Sequence, residues 1–172
     1  MAIDSKDLFY MAKALKLAKK AYISGDIPVG ALIVYRENKK NKKMCEVAKR
    51  AGIASEEILA TSYNMRNKKK NAIYHAEITA ISKACKKIND FRLEDCTMYV
   101  TLEPCQMCAG AIVQSRIKRL VVGALSKKSG SCGSIINILD NDSFNHKVIL
   151  DYMDDDDCKN IIKDFFKKIR ED

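Results

Sequence analysis

The sequence has no tryptophan, two prolines and two histidines. A site that needs an imidazole must therefore draw on His75 or His146. The cysteines number seven, an odd count, and are scattered apart from one Cys-x-x-Cys. That pattern argues against the even disulfide framework of a small secreted chain and for a reducing compartment. The start, Met1-Ala2-Ile3-Asp4-Ser5-Lys6-Asp7, has no apolar signal core. No run approaches the roughly 18 apolar residues of a membrane span. A cytoplasmic protein with no membrane partner is expected, although these features do not separate cytosol from nucleus.

What is present is a chain of 172 residues, the length of one domain, long enough to bury a core without staples. Lys+Arg 31 against Asp+Glu 22 leaves a net +9, which suits a polyanionic partner without choosing nucleic acid over a membrane surface. Leu8, Met11, Leu15, Ala18 and Tyr22 recur at helical spacing, with Asp4 or Ser5 as cap and Gly25 as stop. Residues 30–35 read as a buried strand and 58–63 as a second one pairing back on it. Residues 36–55 between them carry seven basic and two acidic side chains, a net +5, with a turn or two of helix expected over 45–51. A helix over 76–88 with Ile78, Ile81, Ala84, Cys85 and Ile88 on one side is followed by a strand at 97–101. A helix over 105–115, with Pro104 at its favoured first position, leads to a strand at 120–124. A Ser/Gly/Lys loop, a fifth strand over 148–152 and a helix over 159–170 complete the chain. Strand–helix–strand units with short connections predict an α/β sheet with helices on its faces.

Two segments carry chemistry: His75-Ala76-Glu77 and Pro104-Cys105-Gln106-Met107-Cys108. One imidazole and two thiolates make three Zn²⁺ ligands, and three protein ligands with an open fourth position are the catalytic pattern. Helix N-termini help hold the cysteines as thiolates. Glu77, two residues after His75, suits a general acid–base that moves the proton of an attacking water to a leaving amine. A lone Cys-x-x-Cys is also compatible with a redox pair, half a structural zinc site or two small core residues. Here the preceding proline, the helical context and the His-x-Glu agree on the nucleobase-deaminase signature. His146, with no neighbouring acid, reads as a surface or loop-capping residue, and the other cysteines as core or bystander thiols.

From about Asp7 to Arg170 the chain resembles the bacterial-type tRNA-specific adenosine deaminases, within the cytidine deaminase-like superfamily. The resemblance is carried by Asp26-Ile27-Pro28-Val29-Gly30-Ala31, Tyr63-Asn64-Met65-Arg66, His75-Ala76-Glu77-Ile78 and the run from Tyr99 through Pro104-Cys105-Gln106-Met107-Cys108 to Ile112. Phe144-Asn145-His146 and Asp164-Phe165-Phe166 add to it. It implies a single domain over 1–172 with a three-layer α/β/α fold around a five-stranded mixed sheet. It also implies one Zn²⁺ per subunit on His75, Cys105 and Cys108, Glu77 as proton shuttle, and Asn64 and the Ala76 N–H on the base. The implied reaction is hydrolytic conversion of adenosine to inosine at the tRNA wobble position, with an arginine tRNA as substrate and a homodimer as the active form.

The chain departs from the resemblance in three places. Asn71-Ala72-Ile73-Tyr74 precedes His75 where Asp-Pro-Thr-Ala is usual, Ser126 stands where Asp is expected, and 36–55 replaces a hairpin normally 2–5 residues long. That basic insertion fits either an RNA contact or a solvated loop. Lys68 to Lys70, Lys127, Lys128 and the last helix are placed to meet phosphates, and Phe165 or Phe166 to stack on a base or fill the core. Two competing functions remain at this level. One is a deaminase of free guanine, cytosine or cytidine, and the other a non-catalytic RNA-binding subunit, which has no need of Glu77.

Overall fold

In the computed structural model, which describes residues 3–171, five strands form one mixed sheet. The elements in chain order are α1 (Ser5–Ile23), β1 (Gly30–Arg36), α2 (Lys42–Arg50), β2 (Glu56–Tyr63), α3 (Arg66–Lys69), α4 (Ala76–Ile88), β3 (Cys96–Leu102), α5 (Gln106–Gln114), β4 (Arg119–Ala124), β5 (Ile149–Tyr152) and α6 (Asp156–Glu171). The strand order is β2-β1-β3-β4-β5. β1 is antiparallel to both β2 and β3, whereas β4 runs parallel to β3 and to β5.

Alternation along each strand divides the core into two layers. Leu32 and Val34 of β1, Tyr99 of β3 and Val121 of β4 pack with Tyr10, Met11, Ala14 and Leu15 of α1 and Cys158 of α6. Ala31, Ile33, Met98, Val100, Leu120 and Val122 face Ala80, Ala84 and Ile88 of α4 and Ile112 of α5. Each large side chain so buried contributes about 1.5–3 kcal/mol. The result is the expected three-layer α/β/α arrangement. α1 lies so close to β1 that a Cβ at Gly30 would overlap the Ala14 carbonyl oxygen and stand 2.6 Å from the Ala18 nitrogen.

α1 corrects one expectation. Leu8 is exposed, and the acidic Asp7 is buried in its stead. Asp7 closes a capping box with Asp4. It also accepts from Arg119 Nη1 at 2.7 Å, Nη2 at 2.9 Å and Tyr99 Oη at 2.7 Å. Arg119 in turn donates from Nε to Asp151 at 2.6 Å, so a buried polar chain joins α1, β3, β4 and β5. Burial opposes ionisation of Asp7, but these hydrogen bonds and the guanidinium charge win and hold its carboxyl down at about 2.

The insertion is not a solvated loop. α2 starts at Lys42, three residues before the expected turn, because Asn41 caps it by accepting the Met44 N–H and because Met44 and Ala48 are buried against the sheet. Asn38 and Asn41 also donate to Asp95, at 3.0 and 2.8 Å. On α4 the buried positions are Ala76, Glu77, Ala80, Ala84 and Ile88, while Ile78 and Ile81 are only half-buried. α6 begins at Asp156, earlier than expected, since the Asp155 carboxylate accepts the Cys158 N–H at 2.8 Å. His146 does act in a loop, its Nε2 standing 2.8 Å from the Ile117 carbonyl oxygen.

Candidate active site

Topology places the chemistry. β2 and β3 both run opposite to β1, and β4 runs with β3, so the segments after β2, β3 and β4 emerge at one end of the sheet. Those segments carry His75, Cys105 and the Ser126–Ser134 loop. The basic α2 lies between the end of β1 and the start of β2, at the opposite end.

His75 and Cys105 occupy the N-cap positions of α4 and α5, both extended (φ −72°, ψ 153° and φ −75°, ψ 173°). Pro104 is therefore one residue before the cap, not the first helical residue, because Cys105 keeps an extended backbone. Cys108 sits in the first turn and is buried. His75 Nδ1 stands 3.7 Å from Cys105 Sγ and 3.5 Å from Cys108 Sγ, and all three atoms lie within 4.8 Å of one another. With Zn–S near 2.3 Å and Zn–N near 2.0–2.1 Å, the N···S edge of a tetrahedron is about 3.5–3.6 Å. The donor set and spacing fit Zn²⁺.

The electrostatics match. A hydrogen bond from Cys108 outweighs burial and, with His75 adding to it, holds the Cys105 thiol down at about 4. The same pairing, together with burial, pushes Cys108 upward, so it keeps its proton until a cation takes its place. The hydrogen bond with Cys105 raises His75. Burial raises the Glu77 carboxyl, which suits a group that must carry a proton as well as accept one.

These residues open on a cavity of about 280 Å³ lined by Asn64, Arg66, His75, Ala76, Glu77, Cys105 and Ser129, with Ile27, Val29 and Leu102 as apolar walls. That is the small end of ligand-pocket volumes, about 300–1,000 Å³. The first helical bonds of α4 and α5 run from Thr79 N–H to His75 O and from Ala109 N–H to Cys105 O. The Ala76 N–H, earlier in its turn, is thus left for another partner. The Asn64 side chain is oriented from behind, Nδ2 donating to Ile27 O at 3.1 Å and Oδ1 accepting the Arg66 N–H at 3.3 Å. Buried Asp26 accepts the Asn67 and Lys68 N–H groups and so seats the Arg66 turn. All six predicted site residues therefore meet in one place. Ile27, Val29, Arg66 and Leu102 stood in the sequence only as members of motif strings with no role assigned, and Ser129 stood in none.

Beside this cavity is another of about 240 Å³ that shares Ile27, Asn64 and Arg66 and is closed by Phe165, Phe166 and Ile169. Phe165 is core; Phe166 is half-buried, with Lys128 Nζ 5.7 Å from its ring centroid. Ser126 is no pocket contact: its N–H goes to Glu103 and its hydroxyl lies 3.3 Å from that of Ser129.

A histidine and two cysteines at facing helix starts, beside a buried glutamate at the carboxyl ends of a mixed sheet, define a deaminase with the cytidine deaminase-like fold. Comparison with known proteins agrees: the MafB19-like deaminase family matches residues 5–170. A tRNA-specific adenosine deaminase of Bacillus subtilis (strain 168) is 36% identical over 167 residues, 96% of this chain and 92% of its own length. One from Rickettsia bellii (strain RML369-C) is 41% identical over 162 residues, 94% of this chain and 100% of its own. A solved structure from work on A-to-I editing by tRNA:A34 deaminases superposes with a TM-score of 0.74 at 28% identity, covering 90% of this chain and 99% of the other. The chain belongs to the family of the tRNA-specific adenosine deaminases.

Proposed function

We propose that this protein converts adenosine to inosine at the wobble position of the tRNA anticodon, releasing ammonia. The observation that carries the reading is the joining of the His75–Cys105–Cys108 triad and buried Glu77 to one small cavity, in a chain whose near full-length relatives are tRNA-specific adenosine deaminases.

In this reading His75 Nδ1 and the Cys105 and Cys108 sulfurs hold one Zn²⁺ per subunit, which supplies Lewis acidity to the attacking water. Glu77 takes one proton from that water and gives it to a ring nitrogen of the base. It then takes the second from the hydroxyl now bonded to the base and gives it to the amine, which departs as ammonia while the carbonyl forms. Asn64 and the Ala76 N–H hold the base edge, and Ile27, Val29 and Leu102 sandwich its faces. A base stacked in a helix does not reach such a cavity, so the adenosine is splayed out of the anticodon loop. Phe166 and Lys128 then meet a flanking base and phosphate. Supporting an RNA substrate is the net +9. An arginine tRNA as substrate, a homodimer as active form, a cytoplasmic location and a single domain over 1–172 complete the proposal. Among the described residues no helix is long and apolar enough to cross a membrane.

The test is to incubate zinc-loaded protein with an arginine anticodon stem-loop bearing adenosine at the wobble position, and separately with free guanine and cytidine. Ammonia from the stem-loop alone is expected. A guanine deaminase of Bacillus subtilis superposes with a TM-score of 0.54 at 30% identity, so ammonia from guanine alone would replace this reading with a free-base one.

A further inference from the structure

Glu103, two residues before Cys105, is buried and lines the active-site cavity. Its Oε2 accepts the Ser126 N–H at 3.0 Å, and its Oε1 accepts the Cys132 and Ser134 N–H groups at 3.0 and 3.1 Å. One side chain on the β3–α5 turn thus takes three backbone donors from both ends of the loop that follows β4. The Tyr152 hydroxyl of β5 braces the same loop, 2.9 Å from Cys132 O and 3.3 Å from Oε1. The fit is close: a Cβ at Gly130 would overlap the Glu103 carboxylate and the Ser134 hydroxyl.

The clamped loop matters because of what it carries. Ser129 lines the active-site cavity, Lys128 stands over Phe166, and Lys127 and Lys128 are exposed beside them. We propose that Glu103 is a positioning residue for the RNA substrate, holding the Ser126–Ser134 loop so that Ser129 and Lys128 meet the nucleotide next to the reacting base. The inference rests on the RNA reading given above. Free backbone N–H groups in a loop of this length would otherwise sample many conformations. A buried carboxylate with three donors selects one before the substrate arrives, so the ordering is not charged against binding.

Glu103 also neighbours the ligand-bearing turn, since Ser131 N–H donates to Pro104 O at 2.9 Å. A purely structural role therefore has to be separated from the proposed one. Glu103→Gln keeps the shape, but its amide accepts from only one end of the loop. In zinc-loaded protein acting on the anticodon stem-loop, we expect KM to rise about tenfold, the loss of one hydrogen bond to a charged group. The kcat should stay within about threefold, the zinc content should be unchanged, and amide exchange should quicken at Ser126 or at Cys132 and Ser134. An unchanged KM, or a fall in kcat that tracks zinc loss, overturns the proposal. If Glu103→Gln does not fold, Gly130→Ala decides: it leaves the carboxylate but pushes the loop off it, and KM must again rise with zinc retained. Wild-type protein that makes no inosine would instead overturn the functional reading, while the exchange measurement still reports on the clamp.

Discussion

Acidification should dissect the buried chain Asp7–Arg119–Asp151. Asp7 is fully buried, and its carboxyl is held at about 2 against 3.8 for an unperturbed group. A difference of nearly two pH units is worth about 2 kcal/mol. Because the folded value is the lower one, this stability is fully present above the unfolded value. It is lost as pH falls from about 4 through about 2. The perturbation is Asp7→Asn, which keeps one acceptor but turns an amide N–H₂ toward Arg119. Breaking one side of a buried pair costs about 3–5 kcal/mol near neutral pH. Equilibrium urea unfolding of both proteins, zinc-loaded, from pH 6 to pH 3 gives the difference between them, in which losses common to both, such as ligand protonation, cancel. The linkage relation puts the Asp7 contribution at about 2 kcal/mol at pH 6 and at about half that at pH 3. The gap between wild type and variant should narrow by about 1 kcal/mol. A constant gap across that range would refute the assignment of a depressed carboxyl to Asp7.

Three further outcomes are expected. Glu77→Gln should retain metal and stem-loop affinity while losing about 10²–10⁴-fold in turnover; near-normal turnover would remove it from the chemistry. Cys105→Ala should lose its metal, and full zinc by elemental analysis would contradict the ligand set. Because α2 lies at the end of the sheet opposite the cavity, the quadruple change of Lys39, Lys40, Lys43 and Lys49 to Gln should leave kcat/KM on the anticodon stem-loop within about twofold at 0.15 M salt, beyond whose Debye length of about 8 Å exposed charges are screened. A tenfold loss would show that this surface does reach the substrate.

The motifs made the catalytic constellation legible before any coordinates, because metal ligation and proton transfer demand particular residue types at particular helix positions. His75, Glu77, Cys105 and Cys108 could be read in that way, and the succession of strands and helices along the chain followed from the periodicities around them. What escaped depends on pairs with no spacing relation. Asp7 was given no role in the sequence, and only Arg119 and Tyr99, far along the chain, make its burial stable. Glu103 looked like part of a motif string, and its three loop donors lie more than twenty residues away. α2 was under-read because its lysines mask a short buried face of Met44 and Ala48, too narrow to register as a periodic stripe. α3, a single turn, carries no periodic signal at all.

The most direct measurement is site-resolved. Full-length arginine tRNA with adenosine at the wobble position is incubated with zinc-loaded protein, digested to defined fragments and read by mass spectrometry. Inosine should appear at the wobble nucleotide and at no other adenosine, in step with ammonia release, and should vanish with Glu77→Gln. Unmodified tRNA, with ammonia released from free guanine or cytidine by the same preparation, would contradict the account.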